Sequence, residues 1–156
     1  MVPLDSRPGI VYEIMCGCHA SYIGETGNTL SHRFREHMGY VTRYKNAEQG
    51  LNESHTVRRG RAQTRTPRKI MEEAIKASAV AEHAIHCSLD PRPNVICREN
   101  RFQLRRIKEA LFIRHNRTIN RDKGVKISEE VLWRPLILCA ENPGGAPLDE
   151  NISKQS

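Results

Sequence analysis

The sequence predicts an α+β domain, and three observations carry that prediction. Two short runs of strand character, residues 9–14 and 20–24, are joined by a tight glycine-containing link. Apolar residues recur at helical spacing in three later stretches. A third short apolar run, Val95-Ile96-Cys97, stands between the last two of these.

The elements follow in order. Ile10, Tyr12 and Ile14 alternate with Val11 and Glu13. Tyr22 and Ile23 resume the pattern after Met15-Cys16-Gly17-Cys18-His19, so the two runs read as a hairpin. Gly24 to Asn28 breaks it, with Thr26 or Asn28 as the candidate cap of a helix. Leu30, Phe34, Met38 and Val41 form that helix's apolar stripe. Arg33 and His37, four apart, share a face bordering it. Residues 42–66 are polar and patternless and read as a loop. A basic cluster runs through Arg58, Arg59, Arg61, Arg65, Arg68 and Lys69, with no acid among residues 54–69. Thr66-Pro67 is a helix start. Ile70, Ala74, Ala77, Ala81 and Ala84 carry one helix to about Cys87, and Pro91 and Pro93 end it. Residues 101–115 read as a further helix with Leu104, Ile107 and Leu111 in line. Asn116 to Gly124 reads as a polar loop. From about Ala140 the Gly-, Pro- and Asn-rich end is expected to be disordered. The expected organisation is a lead-in at 1–8, a domain at 9–127 with a basic insertion near 42–77, and a tail at 128–156.

Composition bounds the function. The chain has 156 residues, suited to one domain, and 38% of them are hydrophobic, enough for a modest core. Formal net charge is +7, which favours a polyanionic partner such as nucleic acid. No apolar run is long enough to cross a bilayer, and residues 1–8 lack the apolar stretch of a signal peptide. The expectation is an intracellular protein that engages nucleic acid or another polyanion and no membrane. Five cysteines at irregular spacing favour reduced thiols or a metal site over a disulfide framework.

Cutting a phosphodiester requires a deprotonated water, a cation for the phosphate and commonly a metal. Tyr12 and Tyr22 are candidates for handling a proton. Arg33 offers a planar fork for phosphate, and Glu109 a hard oxygen ligand for Mg²⁺. Each has a plainer reading: packed strand tyrosines, a solvated Arg33, a surface His37, and a Glu109 paired with Arg105, Arg106 or Lys108. Spacing alone leaves a basic α+β domain that binds nucleic acid.

The ordered blocks say more. Gly9-Ile10-Val11-Tyr12, Tyr22-Ile23-Gly24-Glu25-Thr26, and Leu30, Arg33, Glu36 and His37 together resemble the signature of the GIY-YIG nuclease superfamily. Two cysteines between the half-motifs, Ser78-Ala79-Val80-Ala81-Glu82-His83, Arg106 to Ile113 and Ile119 to Gly124 narrow the resemblance to the C-terminal endonuclease domain of Penelope-like retroelements. It spans about residues 9–127, interrupted in the middle. It implies a three-stranded antiparallel sheet flanked by helices, and nicking or cleavage of DNA with Mg²⁺ or Mn²⁺ and no small-molecule cofactor. By position it implies Tyr12 as general base or its partner and Tyr22 as orienting the nucleophile. Arg33 would bind phosphate and His37 belong to the proton network. Glu109 would hold the metal and Asn120 support the site.

The resemblance also implies a Cys₂His₂ zinc site from Cys16, Cys18, His37 and His83, with His86 and His19 as competing ligands. His37 cannot serve both zinc and the nuclease site. The plainer alternative is two free thiols in a hairpin loop. The segment between His37 and Ser78 is longer than the resemblance leads one to expect. Arg58, Arg59, Arg61 and Arg65 there are candidate DNA contacts, or a solvated loop. No reverse-transcriptase portion accompanies these blocks, so the chain reads as a fragment, a decayed copy or a stand-alone module. Two other readings stand beside the nuclease: a catalytically inactive nucleic-acid-binding remnant, and a zinc-stabilised interaction module.

Overall fold

The computed structural model describes residues 6–53 and 65–127. Arg58, Arg59 and Arg61, and the expected tail, lie outside them. Three strands, β1 (Ile10–Cys16), β2 (Ser21–Thr26) and β3 (Pro91–Arg98), form an antiparallel sheet in the order β2-β1-β3. Among the described residues four helices accompany it: α1 (Leu30–Asn52), α2 (Pro67–Ala77), α3 (Ala79–His86) and α4 (Phe102–His115). The α+β class and the three-stranded antiparallel sheet agree with the sequence reading.

The central strand is covered on both faces, which its near-continuous apolar run requires. Ile10, Tyr12 and Ile14 face one side and pack with Leu30 and Val41 of α1 and Val80 and Ala81 of α3. Val11 faces the other side and packs with Ile23, Cys97 and Ile113 of α4. The β1–β3 register shifts between Val11 and Tyr12, so Val11 pairs with Cys97 but Tyr12 with Val95. β3 begins four residues before the expected run. Pro91 and Pro93 lie inside it, which an edge strand tolerates because one row of its N–H groups is unpaired anyway.

Three local expectations need correction. The helix cap is Thr29, whose hydroxyl accepts the His32 N–H at 3.2 Å. Thr26 instead ends β2 and accepts the N–H of Asn28 at 3.0 Å. Helix α1 runs to Asn52, through residues read as loop, because Val41, Tyr44 and Ala47 keep a sparse buried face that faces α2 and α3. The expected single helix over 70–87 is two. Ser78 breaks it in extended conformation (φ −148°, ψ 122°), ending α2 and capping α3.

Helix α4 is tied to the sheet by charges. Arg105, 6% exposed, holds the Glu25 carboxylate of β2 at 2.5 Å and donates to the carbonyls of Glu99 at 3.1 Å and Asn100 at 3.4 Å. Lys108 donates to Glu99 at 3.1 Å. Removing one partner of a buried pair strands the other charge. Arg105→Ala should therefore cost about 3 kcal/mol in a urea melt at pH 7. Arg105→Met combined with Glu25→Leu should recover most of that loss. A double variant no better than the single one would show that packing, not the stranded charge, carries the effect.

Candidate active site

The site begins on β1 and β2. Tyr12 is fully buried, and its ring centroid lies 6.3 Å from that of Tyr22. The neighbouring backbone leaves no slack: a Cβ on Gly24, directly opposite Tyr12 in the register, would sit 2.6 Å from the Tyr12 hydroxyl. A side chain there would displace the phenol, which accounts for glycine at this position.

Helix α1 supplies two more groups. His37 is 2% exposed and occupies the centre of the buried face, not its border. Its Nε2 is 2.9 Å from the Tyr12 hydroxyl and its Nδ1 is 2.9 Å from Ser78 Oγ. Tyr22 meets its ring edge-on at 5.0 Å between centroids. Arg33, one turn earlier, donates Nε–H to the Tyr12 hydroxyl at 3.3 Å and pairs with Glu36 at 2.7 Å. Tyr12, Tyr22, Arg33 and His37 thus form one contact cluster.

Burial sets the protonation states. It pushes the Tyr12 hydroxyl well above its ordinary range; Tyr22 adds to the rise and Arg33 opposes it. Tyr22 is raised for the same first reason, with Arg33 opposing and the Glu109 charge adding. Burial, then the Arg33 charge, holds His37 down to about 4 against the pull of Glu36. Near neutral pH the imidazole is therefore neutral.

Glu109, on α4, is close enough for its charge to act on Tyr22. Its expected ion pairs are absent: Arg105 and Lys108 hold Glu25 and Glu99 instead, and among the described residues no cation lies within 4 Å of its carboxyl. Burial, then the charges of Glu25 and Asp122, raise it to about 7, while the Glu25 backbone N–H and the Arg106 charge pull the other way. Asn120 touches no reacting group. It brackets the backbone of Ile23, accepting its N–H at 2.9 Å and donating to its carbonyl at 2.6 Å. With the Ile119 N–H bonded to the Ser21 carbonyl at 2.8 Å, it fixes the outer edge of β2 and so the placement of Tyr22.

A second cluster sits where the hairpin link meets the end of α3. Cys16, Cys18, His83 and Cys87 place their ligand atoms within 4.8 Å of one another. Cys16 Sγ is 3.7 Å from Cys87 Sγ, and Cys18 Sγ is 3.2 Å from His83 Nε2. A tetrahedron with metal–sulfur bonds of about 2.3 Å has edges near 3.8 Å, so the set fits one metal with small adjustment. The expected ligand set needs one change. His37 is committed to Tyr12 and Ser78, and Cys87 takes its place. His83 and Cys87 are four apart at the end of a helix, a spacing that puts two ligands on one face and was readable in the sequence. Burial would raise the Cys16 thiol, but the backbone N–H groups of Cys18 and Asp90, with His83 and Cys18, outweigh it and bring it to about 6. Hydrogen bonding to Cys16 and Cys18 pushes Cys87 up to about 11. One thiol of the set is thus disposed to ionise first.

Of the basic cluster, Arg65, Arg68 and Lys69 are described and exposed, and Arg65 pairs with Glu73 at 2.9 Å. Sequence reasoning missed Ser78, whose signal was a capping serine followed by acidic Glu82 in a first turn. It also missed Glu25 and Asp122 beside Glu109, a tertiary proximity with no local signal. Comparison with protein-family models, curated proteins and solved structures yields no match.

The raised Glu109 has a measurable consequence. Its folded value of about 7 exceeds the ordinary 4.5, so folding disfavours the charged form. Below 4.5 the carboxyl is neutral in both states and no penalty remains; above 7 the penalty is complete. Glu109→Gln should therefore be more stable than the parent at pH 8, by on the order of 2 kcal/mol, and equal to it near pH 4. Urea melts at both pH values measure this. A stability difference that does not change with pH would contradict the assignment.

Proposed function

We propose that this chain is a Mg²⁺- or Mn²⁺-dependent DNA endonuclease of the GIY-YIG type, derived from a Penelope-like retroelement, with Zn²⁺ in the cysteine–histidine cluster. The observation that carries the reading is the convergence of Tyr12, Tyr22, Arg33 and His37 from two strands and a helix, with Glu109, a carboxyl that has no ion pair among the described residues, close enough to act on Tyr22.

The chemistry of the donors supports it. Arg33 contacts Tyr12 through Nε and has part of its guanidinium exposed, so one residue can bind a phosphate oxygen and bias a phenol at once. Tyr12 is no base while its hydroxyl is buried and raised. It requires added positive charge to ionise near neutral pH. Glu109, with Glu25 and Asp122 near it, is the residue suited to hold Mg²⁺. Bound there, a divalent ion would neutralise charge on the scissile phosphate and acidify a water. Asn120 keeps Tyr22 in register with Tyr12 through the Ile23 backbone. The net charge of +7 suits a phosphodiester polymer as partner. An inactive remnant that only binds DNA gains no support from a site with every one of these groups in place.

Zn²⁺ suits the second cluster because three thiols and one imidazole are soft-to-borderline ligands that select it over Mg²⁺. Its role there is structural: it would clamp the hairpin link to the end of α3.

Two experiments test this. Supercoiled plasmid with Mg²⁺ should be nicked by the protein, and Arg33→Ala and Glu109→Ala should each lose about a hundredfold in rate. Equal nicking by all three proteins would mean contamination and would sink the reading. Elemental analysis should find one zinc per chain. A chelator, or Cys87→Ser, should lower the melting temperature by on the order of 10 °C or more. Cys97→Ser, in the opposite core cluster, should keep its zinc. Loss of zinc from Cys97→Ser, or full zinc in Cys87→Ser, would refute the ligand set.

A further inference from the structure

Ser78 is 3% exposed, and its hydroxyl does two things at the only break between α2 and α3. Its Oγ accepts the Ala81 N–H at 3.3 Å, capping α3, and lies 2.9 Å from His37 Nδ1. A hydroxyl has one proton to give. If Nδ1 carried the imidazole proton, Oγ would accept from both neighbours and its own buried proton would need a third partner. Among the described residues, His37 and Ala81 are the hydrogen-bond partners of Oγ. A buried donor left unbonded is costly. With the opposite polarity Oγ–H donates to Nδ1, Nε2 carries the proton, and Nε2–H donates to the Tyr12 oxygen at 2.9 Å. The Tyr12 proton then goes to the hydroxyl of Tyr22, its other hydrogen-bonding neighbour.

We propose that Ser78 is a positioning residue that locks His37 in its Nε2–H tautomer, so that His37 donates a hydrogen bond to Tyr12 and does not accept the Tyr12 proton. The Tyr12 oxygen then faces two N–H donors, His37 Nε2–H and Arg33 Nε–H, both of which favour the phenolate over the phenol. The catalytic consequence rests on the endonuclease reading; the tautomer does not. The groups facing His37 are Tyr12 from β1, Tyr22 from β2, Arg33 and Glu36 from its own helix, and Ser78. Burial among them keeps the ring neutral near pH 7, so a single ring proton is there to be placed.

The test is long-range ¹H–¹⁵N spectroscopy of histidine-labelled protein at pH 7, with the His37 signals assigned by their loss in His37→Gln. The parent should show Nε2 protonated and Nδ1 bare. Ser78→Asp retains a good helix cap but buries a carboxylate, so its fold is checked by melting before it is compared with the parent. A carboxylate only accepts hydrogen bonds, so it should draw the proton to Nδ1 and make His37 titrate at higher pH. Plasmid nicking by Ser78→Asp should fall by about a hundredfold. A parent protein with Nδ1 protonated overturns the proposal, whether or not the variant folds. So does a Ser78→Asp variant that flips the tautomer and nicks normally. A parent that nicks no plasmid defeats the endonuclease reading alone, since the tautomer is read independently.

Discussion

A phenol hydroxyl buried on the central strand must be hydrogen-bonded, and the rest of this structure is arranged around that need. Tyr12 is the largest fully buried side chain, covered by α1 and α3 on its face of the sheet. An unsatisfied hydroxyl there would cost about 1–3 kcal/mol. His37 and Arg33 reach its oxygen from one helix, Tyr22 is the neighbour left to take its proton, and Gly24 makes room from the neighbouring strand. His37 in turn needs a partner for its other nitrogen, and Ser78 is free to serve because the chain leaves helical geometry at that residue. The α2–α3 break is thus a consequence of satisfying a buried tyrosine three elements away.

The same short helix links the two clusters. α3 begins at the serine that holds His37 and ends at His83 and Cys87. Its eight residues are too few for a helix to be stable by itself. Its placement therefore depends on what holds each end. At one end Val80 and Ala81 are packed against Ile10, Tyr12 and Ile14. At the other, the cysteine–histidine set fixes it to the hairpin link. Arg121 adds a third restraint, pairing with Glu82 at 2.8 Å and donating to the Lys76 carbonyl at 2.8 Å near the end of α2. A metal in the cluster would stiffen the element that orients His37, without touching the site itself.

Much of this was legible in the sequence where the signal was local. The strand run at Ile10–Ile14 and the helical run at 101–115 were both readable, although burial does not follow their expected periods: Val11 is as buried as Ile10 and Tyr12, and of Leu104, Ile107 and Leu111 only Leu111 is fully buried, beside Arg105, Lys108, Ala110 and Ile113. The missed elements were governed by tertiary partners. α1 continues past Val41 because α2 and α3 cover a thin buried face that shows little periodicity. Ser78 interrupts an unbroken alanine ladder because its hydroxyl serves His37, which no helical period reveals. The plainer reading of Glu109, an ion pair with a neighbouring cation of its own helix, does not hold for Arg105 and Lys108, which turn to Glu25 and Glu99. His37 commits both ring nitrogens to Tyr12 and Ser78, and the fourth member of the set that could hold a metal is Cys87, four residues from His83.

The protonation states share one cause. Burial raises Tyr12 and Tyr22, lowers His37 to about 4 and raises Glu109 to about 7. Each shift favours the neutral form. Two of them act on folding in opposite directions: acid charges His37 at a cost to the folded state, while it neutralises Glu109 to that state's benefit. Between about pH 4 and 7 the two partly cancel, so the site is less acid-sensitive than either residue alone. Arg33 is the exception, its charge kept by Glu36 and a half-exposed position. Near neutral pH neutral phenols and a neutral imidazole surround the Arg33 cation, with Glu109 close to its midpoint. On the proposed reading, the missing charges arrive with the ligands: a divalent cation ionises Glu109, and positive charge added near Tyr12 makes its phenolate accessible. The geometry is set in advance by backbone and hydrogen bonds, and ionisation waits for the ligands.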